Sequence, residues 1–181
     1  MLPGDVVRGR KNPSHMGCPV RLKKARKAIG ASLDVIARAA HLSDGKTVFL
    51  VEESRHIPRL DTVEQIAYAL GLSPAFLAYG IESDTEQLAD GLRCEGVTIR
   101  LRETRTARGL SVLALATRAG LSHTAVGNLE RGTMPGLDTA EALAKVLGVS
   151  PGWLAYGLGP MELPNRRTKR PAATAAPASA T

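Results

Sequence analysis

Few residues in this chain have types and spacing that could do covalent chemistry. Cys18 and Cys94 are the two cysteines, enough for one bridge at most and too few for a four-cysteine metal site. They read as free thiols of a reducing cytosol. The four histidines, His15, His41, His56 and His123, show no H-E-x-x-H spacing, so no metal set is expected. No nucleophile stands with a base and no paired acids suggest a cleft, so neither an enzyme nor a cofactor is expected. "AHLSDGKT" at 40–47 satisfies a loose phosphate-loop pattern, A-x-x-x-x-G-K-T. A phosphate cradle needs a strand before the loop, and the helical "LDVIARAA" stands there instead. A polar set remains, from Ser122 to Arg131. On a helical wheel Val126 and Leu129 share one face, while Thr124, Gly127, Asn128 and Arg131 point the other way, with His123 at the edge. That face is equipped for hydrogen bonding, not for catalysis.

Composition indicates what must position such a face. Aromatics are only 3% of the 181 residues, so the cores are built from Leu, Ile, Val and Ala. Ala and Leu lead the helix scale, whereas strands favour β-branched and aromatic residues, so short helices are expected. No apolar run approaches the roughly 20 residues that span a bilayer. "MLPGDVVRGRKNPSHMG" has no apolar segment of signal-peptide length, and a cytoplasmic location is expected. The net charge of +7 is uneven: +2 over 1–19, +3 over 20–80, −4 over 81–96, +3 over 97–157 and +3 over 158–181. Basic blocks around an acidic segment suggest a polyanionic partner.

The chain also repeats itself. "LGLSPAFLAYG" at 70–80 returns as "LGVSPGWLAYG" at 147–157, 77 positions on. "LDT" at 60–62 returns at 137–139, and "IARAAHLS" at 36–43 matches "LATRAGLS" at 115–122, now 79 positions on. Ordered matches over some sixty residues imply a tandem duplication, the first copy holding two extra residues between Ser43 and Leu60. The second copy is punctuated as five helices. Val97–Arg108 ends at Gly109, Ser111 caps a second helix to about Arg118, and Gly120 stops it in a left-handed conformation. Ser122 caps the third, Pro135 and Asp138 set up a fourth to Leu147, and Ser150-Pro151 opens a fifth. Short helices with a tight turn between the second and third describe a helix-turn-helix unit.

"GLSVLALATRAGLSHTAVGNLERGTMPGLDTAEALAKVLGVSP" resembles the phage-repressor-like (Cro/CI, XRE) helix-turn-helix family, well over 97–157 and more loosely over 20–80. The resemblance implies an all-α chain of two tandem five-helix lambda-repressor-like domains. They would lie at 20–80 and 97–157, after an arm at 1–19, with an acidic linker or spacer helix at 81–96 and a basic, disordered tail at 158–181. It implies that the third helix lies in the major groove of double-stranded DNA. His123, Thr124 and Asn128 would then meet bases, since Asn can pair bidentately with adenine and Thr can meet a thymine methyl. Ser122 and Arg131 would hold phosphates. Arg105 would pair with Glu130, and Arg26 with Glu52 or Glu53, as structural bridges beside the turn residue Gly120. The family often has Gln just inside the second helix as a phosphate grip. Here Val112 and Leu33 stand there, so Arg100 or Arg102 would substitute.

The first copy differs where it should read. His41 replaces the turn Gly, Lys46 takes the place of Thr124, Phe49 that of Gly127 and Leu50 that of Asn128. Either this copy binds DNA through Lys46 and the cations of "RLKKARK", or the Phe49–Leu50 edge meets a protein, as exposed apolar patches do. Phe76 and Trp153 are expected as core anchors. The reading that follows is an operator-binding transcriptional regulator, more specifically a repressor, acting as a covalent pseudo-dimer or a homodimer. Its rival is an interaction protein of antirepressor or antitoxin-like type.

Overall fold

The computed structural model describes residues 13–83 and 91–162. The "RRTKR" run, residues 84–90 of the acidic linker and the first twelve residues lie outside them. Ten α-helices occur among the described residues, with isolated bridges and no strand. The first five are α1 (Cys18–Ala28), α2 (Leu33–Ala39), α3 (Gly45–Glu52), α4 (Leu60–Ala69) and α5 (Pro74–Tyr79). The second five are α6 (Val97–Ala107), α7 (Val112–Ala119), α8 (His123–Leu129), α9 (Leu137–Leu147) and α10 (Pro151–Tyr156). Each set is preceded by a 3-10 turn, Ser14–Gly17 and Arg93–Gly96.

Local chemistry explains the boundaries. The hydroxyls of Ser32, Ser111 and Ser122 accept from the amides of Val35, Ala114 and Ala125, satisfying donors that a helix start leaves unpaired. Asp44 does the same for Lys46 at the start of α3. Gly120 closes α7 in the left-handed region at φ 70°, and His41 holds the matching station at φ 54°. Histidine tolerates that conformation at a cost that glycine avoids. The two extra residues of the first set fall one on each side of α3. One is in the Leu42–Asp44 turn, opposite Leu121–Ser122; the other is in Arg55–Pro58, opposite Thr133–Pro135.

The two sets join through a reciprocal seam. Tyr79 donates its hydroxyl proton to the Leu137 carbonyl at 3.1 Å, and Tyr156 donates to the Leu60 carbonyl at 3.3 Å. The Leu60 amide donates to Pro135 O and the Leu137 amide to Pro58 O, both at 3.1 Å. Glu141 accepts from the amides of Ser14 and His15 at 2.7 and 3.0 Å, and Glu64 from those of Arg93 and Cys94 at 2.7 and 2.8 Å. In each pair the repeat equivalents have exchanged roles. Such exchange is the signature of an isologous, two-fold interface, here made within one chain. α5 packs on α10 at its centre. The apolar core of the first set continues through Leu137, Ala140, Ala155 and Tyr156 of the second.

Four expectations change. Trp153 is half-buried against the core of the second set, whereas Phe76 is half-buried outside the apolar core; the aromatics closed into the seam are Tyr79 and Tyr156, whose hydroxyls find carbonyl partners there. The last residues assigned to the linker are structural, since Cys94 is buried and its amide is held by Glu64. Likewise the first residues of the supposed tail return to the body. Leu158 is buried and the Ser150 amide donates to Met161 O. At the other end, His15 and Cys18 of the supposed arm are already part of the packed structure.

Candidate nucleic-acid interface

The geometry of α8 follows from its sequence. Val126 and Leu129 are buried, and the opposite face carries Ser122, His123, Thr124, Asn128 and Arg131, all exposed. Arg131 donates to the Asn128 side-chain oxygen, which leaves the Asn128 amide protons turned to solvent. A Cβ on Gly127 would meet only the Arg131 guanidinium, at 3.6 Å or more. Its lack of a side chain therefore answers to no crowding within the protein. No acid occurs from Thr104 to Leu129, while Arg105, Arg108 and Arg118 do, so the face sits in a positive field.

The end of α8 is clamped from α6. Arg105 donates to both oxygens of Glu130, Nε at 2.5 Å and Nη2 at 3.0 Å, and its Nη1 donates to Leu110 O at 2.8 Å. Hydrogen bonding to Glu130 holds the guanidinium pKa up, against the opposing effect of burial. Bidentate pairs of this kind fix orientation as well as contributing energy. Thr98 donates to Leu129 O at 3.2 Å, and Arg102 donates to Glu130 O while much of its side chain stays exposed. Sequence reasoning passed over Thr98. The first copy has Pro19 at the matching station, so the repeat gives no hint of it.

Arg100 requires a correction. Its Nε donates to Leu154 O at 2.8 Å, and its Nη2 donates to Ala155 O at 2.7 Å and Arg93 O at 3.0 Å. Burial lowers its pKa. The guanidinium neutralises the carbonyl end of α10 and is not turned outward for a phosphate. Arg21 does the same at α5, donating to Leu77 O and Ala78 O. This matched pair of internal clasps was also missed from sequence.

In the first set, Arg26 meets Glu52 through Nε and Nη2 at 2.6 and 2.9 Å and donates to Ala31 O, reproducing the Arg105 arrangement contact by contact. Glu53 instead pairs with Lys23 at 2.8 Å. Val48 and Val51 of α3 are buried, Lys46 is exposed, Leu50 is half-buried and Phe49 is 39% exposed. The Arg55 guanidinium lies over the Phe49 ring, 5.9 Å from its centroid. Gly45, the glycine of the phosphate-loop pattern, is buried and donates its amide to Asp34 of α2 at 3.1 Å. The pattern is thus the helix–turn–helix corner itself.

Residues 101–154 match the helix-turn-helix family. The second unit belongs to that family. The helix-turn-helix match runs from Leu101 in α6 to Leu154 in α10 and so contains α7, the turn at Gly120 and α8 whole. The chain therefore carries a DNA-binding helix-turn-helix unit. No solved structure matches the chain. Among the described residues no helix is long and apolar enough to cross a membrane, and no cluster of His, Cys, Asp or Glu is arranged to hold a metal ion.

Proposed function

We propose that this protein is a sequence-specific double-stranded DNA-binding transcriptional regulator that represses by occluding its operator. α8 is its principal reading helix. The observation that carries this is the exposed face His123–Thr124–Asn128, mounted on a helix whose apolar side is buried and whose end is clamped by Arg105 and Glu130. Asn128 and Thr124 read base edges; Ser122, Arg131 and Arg102 hold the backbone. Phosphate contacts position the unit while base contacts specify the sequence. The reciprocal seam supports binding as a single chain. The faces of α5 and α10 are already joined to each other, and the two-fold relation that a homodimer would otherwise supply is internal.

A second reading rests on Phe49, exposed on a helix whose counterpart is polar. In it α3 meets a protein partner and the chain acts as an antirepressor or antitoxin-like adaptor. Selection of bound fragments from random duplex DNA, repeated with Asn128→Ala, distinguishes the two. The reading predicts an enriched motif that loses about 1–3 kcal/mol of discrimination at one adenine in the variant. It also predicts affinity that falls steeply with salt as counterions are released. An identical motif from both proteins, or none, refutes it.

A further inference from the structure

We infer that the operator is asymmetric, with an amide-read half-site under α8 and a weaker, thymine-rich half-site under α3 read by Phe49 through thymine methyl groups. This rests on the DNA-binding reading above. The seam relates α3 to α8 by the same two-fold operation that exchanges Tyr79 with Tyr156 and Glu64 with Glu141. A duplex whose own dyad lies on that axis presents equivalent grooves to α8 and α3. Both helices are held to their frames by the same bidentate pair and the same buried positions. Only the outward residues differ.

At the station of Gly127 stands Phe49, at that of Asn128 stands Leu50, and at that of Thr124 stands Lys46. The exchange removes the amide that recognises adenine and adds an apolar ring with a cation beside it. One apolar group is presented by base edges in the major groove, the thymine C5 methyl, and Lys prefers guanine O6 and N7. The stacking of Arg55 on Phe49 orients the ring and brings a further positive charge to its rim. The second protein-facing occupant, an apolar partner surface, fits less well, since Lys46 and Arg55 would both have to be desolvated with it.

The half-site under α3 is the weaker because Asp34, Asp44 and Glu53 lie within residues 31–54 with no acid at their counterparts, whereas the matching stretch 110–132 carries only Glu130, the equivalent of Glu52. Asp34, Asp44 and Glu53 are each engaged by an amide or by Lys23, which dampens their repulsion of phosphate without removing it.

The test replaces thymine by deoxyuracil, one half-site at a time, in the duplex selected and footprinted with the full chain. Deoxyuracil lacks only the methyl, and wild-type protein suffices. The expected result is about a fourfold loss of affinity per contacted methyl in the α3 half-site. That loss should disappear with Phe49→Ala, whose unfolding transition serves as the folding control. Two protected half-sites with no response to deoxyuracil under α3 overturn methyl reading. Protection of one half-site only, with Phe49→Ala binding like wild type, overturns the inference and returns α3 to a protein partner. Failure to select any motif instead refutes the DNA-binding reading itself.

Discussion

Replacing Gly152 by leucine is expected to open the seam between the two units. Gly152 lies in α10 and its repeat equivalent is Ala75 in α5, so the two meet close to the two-fold axis. A Cβ on Gly152 would stand 3.1 Å from the Ala75 Cβ, 3.1 Å from Ile81 Cδ1 and 3.4 Å from Leu158 O. Carbon atoms sit best at about 3.5–4.0 Å. For Gly152→Ala the required shift is a few tenths of an ångström. It is offset by the roughly 1 kcal/mol by which alanine exceeds glycine inside a helix, so this variant should be nearly neutral. Leucine adds three more carbons with no space to enter. Overpacking of this kind costs about 1–3 kcal/mol. Relief by parting the seam forfeits the Tyr79–Leu137 and Tyr156–Leu60 hydrogen bonds, about 1 kcal/mol each. A total near 3 kcal/mol would lower the urea midpoint by about 1–2 M at an ordinary slope. The same variant should shrink the footprint to the half-site under α8, because α3 then loses the fixed placement that the seam gives it. Urea unfolding and footprinting of wild type, Gly152→Ala and Gly152→Leu read all of this. A leucine variant with the wild-type midpoint and the full footprint would refute the seam as described.

Two further outcomes follow from the ion pairs. Arg105→Ala leaves Glu130, 7% exposed, without its bidentate partner and should cost about 3–5 kcal/mol in thermal unfolding. Arg26→Ala should cost a similar amount through Glu52, since the contacts are the same; a loss under 1 kcal/mol in both would contradict the clamp. Glu141 concerns pH. Burial pushes its pKa up, but the amides of His15 and Ser14 and the His15 ring pull it further down, so the net value lies below the ordinary 4.5. A depressed carboxylate contributes stability that is complete above the unfolded-state pKa and lost as pH falls through the folded one. Glu141→Gln should therefore lower Tm at neutral pH and flatten the acid limb of Tm below about pH 4.5. An acid limb unchanged by the substitution would show that another carboxylate governs it.

Much of the fold was legible because helix punctuation is local. Serines at the starts of α7, α8 and α10 and glycines at the ends of α7, α9 and α10 bounded those helices to within a residue or two, and the repeat carried the boundaries to the first unit. What the sequence left open was long-range. Arg26 had Glu52 and Glu53 as equal candidates, and only the turn of α3 separates them, directing Glu52 inward and Glu53 toward Lys23. Arg100 looked available because it is a cation on an amphipathic helix; its capping of α10 depends on a contact 54 residues away. Phe76 and Trp153 stood out as the large apolar residues of the repeated phrase. The phrase itself, LAYG, contained the better answer, since the identical Tyr79 and Tyr156 are the pair exchanged across the seam. An identical polar-tipped aromatic at the same place in two diverged copies can mark a shared environment, and a two-fold axis gives both copies the same one.

The most direct measurement of the central claim is the mass of the protein–DNA complex, by light scattering or native mass spectrometry, on the selected duplex with both half-sites intact. One chain per duplex, with footprint protection on both half-sites, is the predicted result. Two chains per duplex, each occupying a half-site through α8, would contradict the single-chain account and make the internal seam a matter of folding alone.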